Sequence, residues 1–556
     1  MTKVLYFVKY KYREYKIMDV KKKLFLIVIF LLSFFIIKNW QNISNYHIKS
    51  NIIHINNNIH EKLSDKLNRN NIIIKTDKLI LYIDLNGGNI TKMELINYKN
   101  KLYSKKHLTL LNNNKQYIYQ ANSNIIKTNK FNLIDHIFDK PKFFTPMSIY
   151  QLKNNTTILK VPLLFVSKNI LYVKTFIIKK GSFVINVNHQ IFNYTKQPIC
   201  IKINNELNQK TNNILPFLNR KHINFATKTF RGIAYSTSHI KYKKYPFRKI
   251  LQNNNIKIYT NKGWIAIIQQ YFATAWIVPH NNYYIYTQKV SNNIIRIGFY
   301  SINHMIVPGG NAYFTTKLWA GPKITNYMAT VAPFLDYTID YGILWFLAQP
   351  LFQLLNYIYN LIGNWGISII IITCIVRIVT YPLSKMQYIT MIKMRMLQPK
   401  IKSLKIKFNN DKNRLSKEII NLYQKEKLNP LSGCLPFIIQ MPIFLSLYYI
   451  LINSVELRHA PFFLWIKDLS AEDPYYIFPV IMGITIFFMQ KISVNNYEKQ
   501  DVIQKLFIYI IPCIFSLFFL WFPSGLVLYY IISNIITIIQ QGFIYDKIYT
   551  NIKHIH

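Results

Sequence analysis

The chain has 556 residues, 51% of them hydrophobic and 15% aromatic. That is too apolar for an ordinary soluble protein of this size and too polar for a pure bundle of spans, so it implies a membrane domain joined to a water-exposed one. The formal charge of +47, from 69 Lys+Arg against 22 Asp+Glu, is scattered through an Asn-, Ile- and Tyr-rich background and carries information only where it is asymmetric about a span.

Only four cysteines occur, Cys200, Cys374, Cys434 and Cys513. Three lie in or beside apolar runs, which leaves neither a disulfide framework nor a paired-Cys metal site. His136, His189, His222, His239, His280 and His304 stand alone, without metal-ligand spacing, and no Gly-rich phosphate loop is visible. The reading is a chain without cofactor, metal or catalytic set, hence not an enzyme.

Met18 opens MDVKKK, a more natural start, which leaves 1–17 as a non-native extension or a basic tail. The apolar run 24–37 is flanked by Lys21, Lys22 and Lys23 before and by Lys38 and Trp40 after. A cleaved signal peptide competes with a retained anchor, but no A-x-A-like site follows. Lys38 can snorkel and Trp40 can sit among headgroups, so 18–41 reads as an anchor with its N-terminus in the cytoplasm.

Residues 42–74 show no sustained period and read as a flexible linker. From Lys75 the pattern alternates every two residues: LILYIDL ending in Asn86-Gly87-Gly88, then FVINV, IIRIGF and YFTTKLW. Such strands predict a large all-β sandwich, assigned to 75–330. Asp84 and Glu94 could be paired carboxylates, but surface charge is the simpler reading. The stretch GWIAIIQQYFATAW, from Trp264 to Trp276, could line a groove, but core packing explains it as well.

A connection and one helix fill 331–366. In ILWFLAQPLFQLLNYIYNLI the polar residues Gln349, Gln353, Asn356 and Asn360 fall on one helical stripe. The helix is expected to lie in the membrane interface with this stripe toward water. Were it a full span, the basic segment that follows would face outside, against the positive-inside rule.

Five apolar runs then follow within 367–546, at 367–384, 434–452, 475–489, 506–522 and 525–544. With the anchor they make six spans, both termini cytoplasmic, ending in a tail at 547–556. The first run carries Arg377 at its middle, where a cation costs about 2.5–3.5 kcal/mol. None of the other four runs contains Asp, Glu, Lys or Arg. The guanidinium keeps its proton. It must therefore meet water, polar side chains such as Thr373, Gln440 and Tyr530, or a group brought from outside. The bland alternative is an arginine that snorkels or bonds backbone carbonyls.

Between the first two runs lies a basic segment, 385–428, with Lys393, Arg395, Lys400, Lys402 and Lys405, hence cytoplasmic. Asn409-Asn410-Asp411 marks a turn between two helical halves. Met386, Met391, Met394 and Met396 give the first half a soft apolar face, suited either to varied partners or to the hairpin's own seam. Its basic face could touch anionic lipid or ribosomal RNA.

The blocks SIIIITCIVR, MIKMRMLQPKI, EKLNPLSGCLPFIIQMPIFLSLYY, SVELRHAPFFLWIKDLSAEDPYYI and FFLWFPSGLVLYYIISN closely resemble the Gram-negative YidC membrane protein insertases. Upstream, TFRGIAYST, GWIAIIQQYFATAWIVPH, DYGILWFLAQPLF and IGNWG resemble the same family. The resemblance implies an inner-membrane protein with a periplasmic β domain and a five-span core holding a polar groove, open to cytoplasm and lipid. It implies that Arg377 draws in the hydrophilic tail of a substrate, that Thr373 and Tyr530 contact the passing segment, and that the hairpin receives the nascent chain. Gln440 is added for its polarity in mid-run, and Ile486 is expected to face lipid. Implied partners are nascent membrane proteins, the ribosome, the SecYEG translocon with its accessory Sec proteins, and lipids, but not DNA. The rival readings are an anchored periplasmic ligand-binding or assembly protein acting through its sandwich, and a secondary transporter, for which the expected internal repeats are not seen.

Overall fold

The computed structural model of the chain describes residues 71–114, 117–128, 134–135, 141–211, 229–252, 255–408, 411–426, 435–494 and 502–553. The anchor at 18–41, nearly all of the linker, His136, His222 and Cys434 lie outside the described residues.

The two-residue alternation becomes strands, most of which bury every second side chain. In Leu79–Asp84, for instance, Leu79, Leu81 and Ile83 are buried and their neighbours half-exposed. Mid-sheet strands such as Gly263–Ile268 and Phe272–Val278 are buried on both faces. Among the described residues the strands form one twelve-stranded and one eight-stranded sheet. Leu81, Leu207 and Ile297 of the larger sheet share a core with Val161, Ile185, Ile267 and Leu318 of the smaller. Each such side chain contributes about 1.5–3 kcal/mol on full burial. The last strand, Asn311–Pro322, ends where the alternation stops.

The stretch from Trp264 to Trp276 is core rather than groove. It forms the antiparallel strands Gly263–Ile268 and Phe272–Val278 in mid-sheet. Both indoles are fully buried, and each N–H finds a carbonyl, Pro333 O at 3.0 Å and Glu206 O at 3.2 Å, as a buried indole requires. Asp84 and Glu94 are not a carboxylate pair. Asp84 accepts from the Asn86 amide at 2.9 Å, and Glu94 pairs with Lys92 at 2.6 Å.

The remaining described elements are helical: α1 (Phe247–Leu251), α2 (Thr325–Val331), α3 (Trp345–Ile362), α4 (Trp365–Val379), α5 (Tyr381–Met396), α6 (Gln398–Lys407), α7 (Lys412–Lys425), α8 (Leu435–Asn453), α9 (Ile477–Val494), α10 (Val502–Phe519) and α11 (Ser524–Lys553). Helices α3, α4, α8, α9, α10 and α11 supply a second apolar core, which includes Leu355, Ile372, Leu451, Met482, Phe519 and Val527. By length and composition, Ser524–Tyr545 is long enough to cross a membrane. The bent pair α4 and α5 would be a second such span, and the apolar stretches Gln440–Asn453, Ile477–Ile492 and Tyr509–Phe519 are shorter. The described helices therefore do not establish six spans.

Two expectations change here. The run 367–384 is not one straight segment: α4 stops at Val379, and α5 leaves it at 59°. Pro382 explains the break, because it lacks an N–H and its ring would clash with the carbonyl of Ile378 in a continuous helix. The hairpin likewise begins before residue 385, and its first half is two helices, with Pro399 in the first turn of α6. At its turn, Asp411 caps α7 by accepting from the amides of Asn413 and Arg414, worth about 1 kcal/mol.

Polar side chains fix the sandwich to the helical region. Gln270 Nε2 donates to Ile452 O at 3.1 Å, and Arg458 Nη2 donates to the carbonyls of Lys99 and Asn100 at 2.8 and 3.1 Å.

Candidate polar groove around Arg377

The candidate site begins at a corner that the sequence builds locally. Gly363, at φ 77°, ends α3, and its amide donates to Tyr359 O. Asn364 then caps α4, its Oδ1 accepting from Gly366 N at 2.9 Å and Ile367 N at 3.2 Å. Trp365 stacks on Tyr359 with centroids 4.0 Å apart. A Cβ on Gly366 would run into the Phe462 ring, so the corner closes only on glycine.

From this corner α4 carries Arg377 toward α11. Arg377 Nε donates to Ser533 Oγ at 2.8 Å, and Nη2 donates to the same oxygen. Gln540 Nε2 reaches Arg377 O at 3.5 Å. Guanidinium has five N–H donors, and Ser533 takes two of them. Among the described residues no carboxylate pairs with Arg377. It is half-buried, neither snorkelled free nor sealed in.

The surroundings of Arg377 are a polar stripe on α11. Ser533, Thr537 and Gln541 follow at four-residue spacing and are buried, with Asn534 and Gln540 beside them. Asn534 Nδ2 donates to Thr485 Oγ1 of α9 at 3.0 Å. One turn earlier, Tyr529 Oη accepts from Gln440 Nε2 at 2.6 Å and lies beside Ser533. Gln440 thus reaches this polar cluster through Tyr529. Tyr530 is half-buried and packs its ring against Phe444 and Phe519, with centroids 5.0 and 4.9 Å away. Thr373 lies one turn from Arg377, but its side chain is fully buried and its hydroxyl donates to Ile369 O at 2.6 Å. Ile486, expected to face lipid, is instead buried in the helical core.

Sequence reasoning missed Tyr529, Ser533, Asn534, Thr537, Gln540 and Gln541. The signal was available: polar residues recur at three- and four-residue spacing through an otherwise apolar run.

The segment between α8 and α9 is held by two carboxylates. Asp468 accepts from His459 N, Ser470 N and Ser470 Oγ. Asp473 accepts from Trp465 Nε1, Tyr475 N and Phe478 N. Burial pushes the Asp468 carboxyl up, against the pull of its hydrogen bonds. The first turn of α11 is tied to this segment through Ser524 N to Ala471 O at 2.7 Å and Ser524 Oγ to Asp468 O at 3.0 Å.

Helix α3 has three faces. Ala348, Phe352, Leu355 and Ile358 pack on the helical core. Gln349 and Asn356 are half-exposed, and Gln353 and Asn360 exposed, along the polar stripe. Beside that stripe Phe346, Tyr357 and Leu361 are also exposed. In the hairpin, α5 packs Tyr388 and Ile392 against Ile544 of α11. Met386, Lys393 and Met396 are exposed and Met394 is half-buried. The side chains of Met391 and Arg395 lie outside the described residues.

A family model described as "60Kd inner membrane protein" matches residues 357–551, and one described as "YidC periplasmic domain" matches 71–354. "Membrane protein insertase YidC" of Buchnera aphidicola subsp. Baizongia pistaciae (strain Bp) is 45% identical over 552 residues, covering 96% of this chain and 100% of that protein. The protein of the same name from Buchnera aphidicola subsp. Acyrthosiphon pisum (strain APS) is 47% identical over 543 residues, with the same coverage. A crystal structure of an active YidC insertase with its first transmembrane domain resolved overlaps 84% of this chain and 91% of its own, at 18% identity and a TM-score of 0.36, too low to bear on the fold. Two family models that together span most of the chain, and relatives matched over their whole length, place it: the chain belongs to the family of YidC membrane protein insertases.

Proposed function

We propose that the chain inserts nascent integral membrane proteins into the bacterial inner membrane and helps them fold, using the polar groove around Arg377. The observation that carries the mechanism is an intramembrane cation held by a neutral hydroxyl. Ser533 orients the guanidinium without neutralising it. Three N–H donors remain for a carboxylate in the short hydrophilic tail of a substrate. Gln440 and Tyr530 border the groove, with Thr373 buried behind it one turn from Arg377, and water within it shortens the apolar crossing.

Six spans cross the membrane in this reading: the anchor at 18–41 and five within 367–546. The arginine span is 367–384, made of α4 and the first residues of α5. Residues 75–330 lie in the periplasm, 331–366 connect them to the core with α3 in the interface, and both termini, including 547–556, lie in the cytoplasm. The hairpin, with exposed Met386 and Met396 and basic Lys393 and Arg395, receives the nascent chain at the ribosome. The SecYEG translocon and its accessory proteins share some substrates. Energy comes from transfer of the substrate's apolar segment into lipid, aided for an acidic tail by the membrane potential.

Reconstitution in liposomes with an in-vitro-translated single-span protein bearing an acidic tail tests this reading. Protease protection of the tail should require the chain and fall sharply in Arg377→Ala. Equal protection in liposomes without the chain would refute the reading.

A further inference from the structure

One hairpin loop of the sandwich carries a charged surface to the outer end of the helical region. The loop, KNKLYSKK from Lys99 to Lys106, joins the strands Asn89–Lys99 and His107–Asn113. It is an ordered turn: Ser104 N donates to Lys101 O at 3.0 Å, Lys106 N to Ser104 Oγ at 3.1 Å and Asn100 N to Lys106 O at 3.4 Å. The turn holds Tyr103 outward, 84% exposed, with Lys99, Lys101, Lys105 and Lys106 exposed around it. The loop contains no Asp or Glu. Among the described residues no carboxylate pairs with any of the four lysines.

Arg458 sets the level of this loop. It follows Asn453, the last residue of α8, by five positions, and it grips the loop through the carbonyls of Lys99 and Asn100. Five residues reach at most about 18 Å when extended, and Val455–Leu457 is a turn of 3-10 helix, which shortens that reach. The segment that carries Arg458 also exposes Phe463 and Leu464, at 54% and 77%. Bare apolar side chains beside the ends of apolar helices mark the level of the bilayer interface.

A solvated lysine loop is the simple alternative in a chain with 69 Lys and Arg. It accounts for the charge but not for Tyr103, whose ring stands bare although the turn beneath it is ordered. A phenol among lysines suits the headgroup layer. The ring lies against glycerol and upper acyl groups with its hydroxyl in water, and the ammonium groups meet phosphates. Four cations without a counter-charge favour anionic headgroups over zwitterionic ones.

We propose that the 99–106 loop binds anionic phospholipid headgroups of the outer leaflet. Tyr103 enters the interface, and Lys101, Lys105 and Lys106 pair with phosphate. This rests on the reading that the helices cross the membrane with the sandwich outside. The test places a photoreactive benzoylphenylalanine at Tyr103 of the full chain, in nanodiscs of mixed phosphatidylglycerol and phosphatidylcholine, and reads lipid adducts by mass spectrometry. Phosphatidylglycerol adducts should exceed that lipid's share of the bilayer roughly threefold. The enrichment should vanish when Lys101→Gln, Lys105→Gln and Lys106→Gln are combined, and shrink in high salt. The same probe at Ile484, on the outer face of α9, should label both lipids in proportion. At Met305, exposed at the opposite end of the larger sheet, it should label neither. Adducts at Ile484 but none at Tyr103 would overturn the proposal and leave the membrane reading standing. So would adducts at Tyr103 without phosphatidylglycerol enrichment, enrichment unchanged in the Gln variant, or adducts as strong at Met305. Lipid adducts absent from Ile484 as well would overturn both.

Discussion

Two N–H groups of Arg377 converge on a single oxygen, Ser533 Oγ, 156 positions away in sequence. The pair joins α4 to α11 at the point where the polar stripe of α11 meets the only cation of the apolar runs. A carboxylate in place of Ser533 would consume the charge. A methyl group would leave the guanidinium without its guide.

Ser533→Ala therefore retains the charge and loses its orientation. Insertion of a substrate with an acidic tail should fall about tenfold or less, equivalent to about 1.4 kcal/mol. Arg377→Ala should fall further, and Arg377→Lys should keep most of the activity, because attraction needs a charge more than a fork. Initial insertion rates in liposomes check all three. Arg377→Lys as poor as Arg377→Ala would show that the fork matters.

Gly366 and Asn364 are the structural test of the α3–α4 corner. Gly366→Ala drives a methyl group into Phe462, an overpacking of about 1–3 kcal/mol. Asn364→Ala removes an N-cap at about 1 kcal/mol. Thermal denaturation in detergent should rank Gly366→Ala below Asn364→Ala and both below the parent.

Lys174 makes the sandwich sensitive to pH. It is fully buried and donates to the carbonyls of Gly88 and Ser123. Burial pushes its amine down from 10.5 to about 7. Between pH 7 and 10.5 the unfolded chain thus holds a proton that the folded chain has lost, and stability rises with pH across that window. Lys323, pushed down to about 7 by burial, adds in the same sense. His189, bonded to Ser123 and Tyr172 and pushed well below its usual value, extends the loss of stability below pH 6.5. Glu456, raised to about 7 by burial, opposes this trend between pH 4.5 and 7. Melting of the sandwich, followed by circular dichroism, should show a shallower rise from pH 7 to 10 in Lys174→Met than in the parent.

Helix α3 predicts its own placement. A spin label at Leu361 should be accessible to oxygen and shielded from a water-soluble nickel complex, whereas one at Gln353 should show the reverse. Equal nickel access at both would place the whole outer face of α3 in water.

Much of this was legible in the sequence, for identifiable reasons. Period two reports one buried face per strand, so the β-rich domain followed from LILYIDL, FVINV and their like. Arg377 stood out because its charge is costly in lipid. Ser533 and Gln541 did not, because uncharged polar residues leave hydropathy almost unchanged and show only through their spacing. The bend after Val379 was hidden for a related reason: an apolar run looks continuous through Thr380 and Tyr381, although Pro382 signals the break. Thr373 shows the opposite case, since a hydroxyl in a span can satisfy itself on Ile369 O.

The central claim is that substrate passes along the groove beside Arg377. Site-specific photocrosslinking from Gln440 and Tyr530 to a ribosome-bound single-span nascent chain tests it most directly. Ile484, about half exposed on the outer face of α9, serves as the control in place of the buried Ile486. The account predicts crosslinks at Gln440 and Tyr530, at intermediate chain lengths only, and none at Ile484. Crosslinks absent from both groove positions at every length, or equally strong at Ile484, would contradict it.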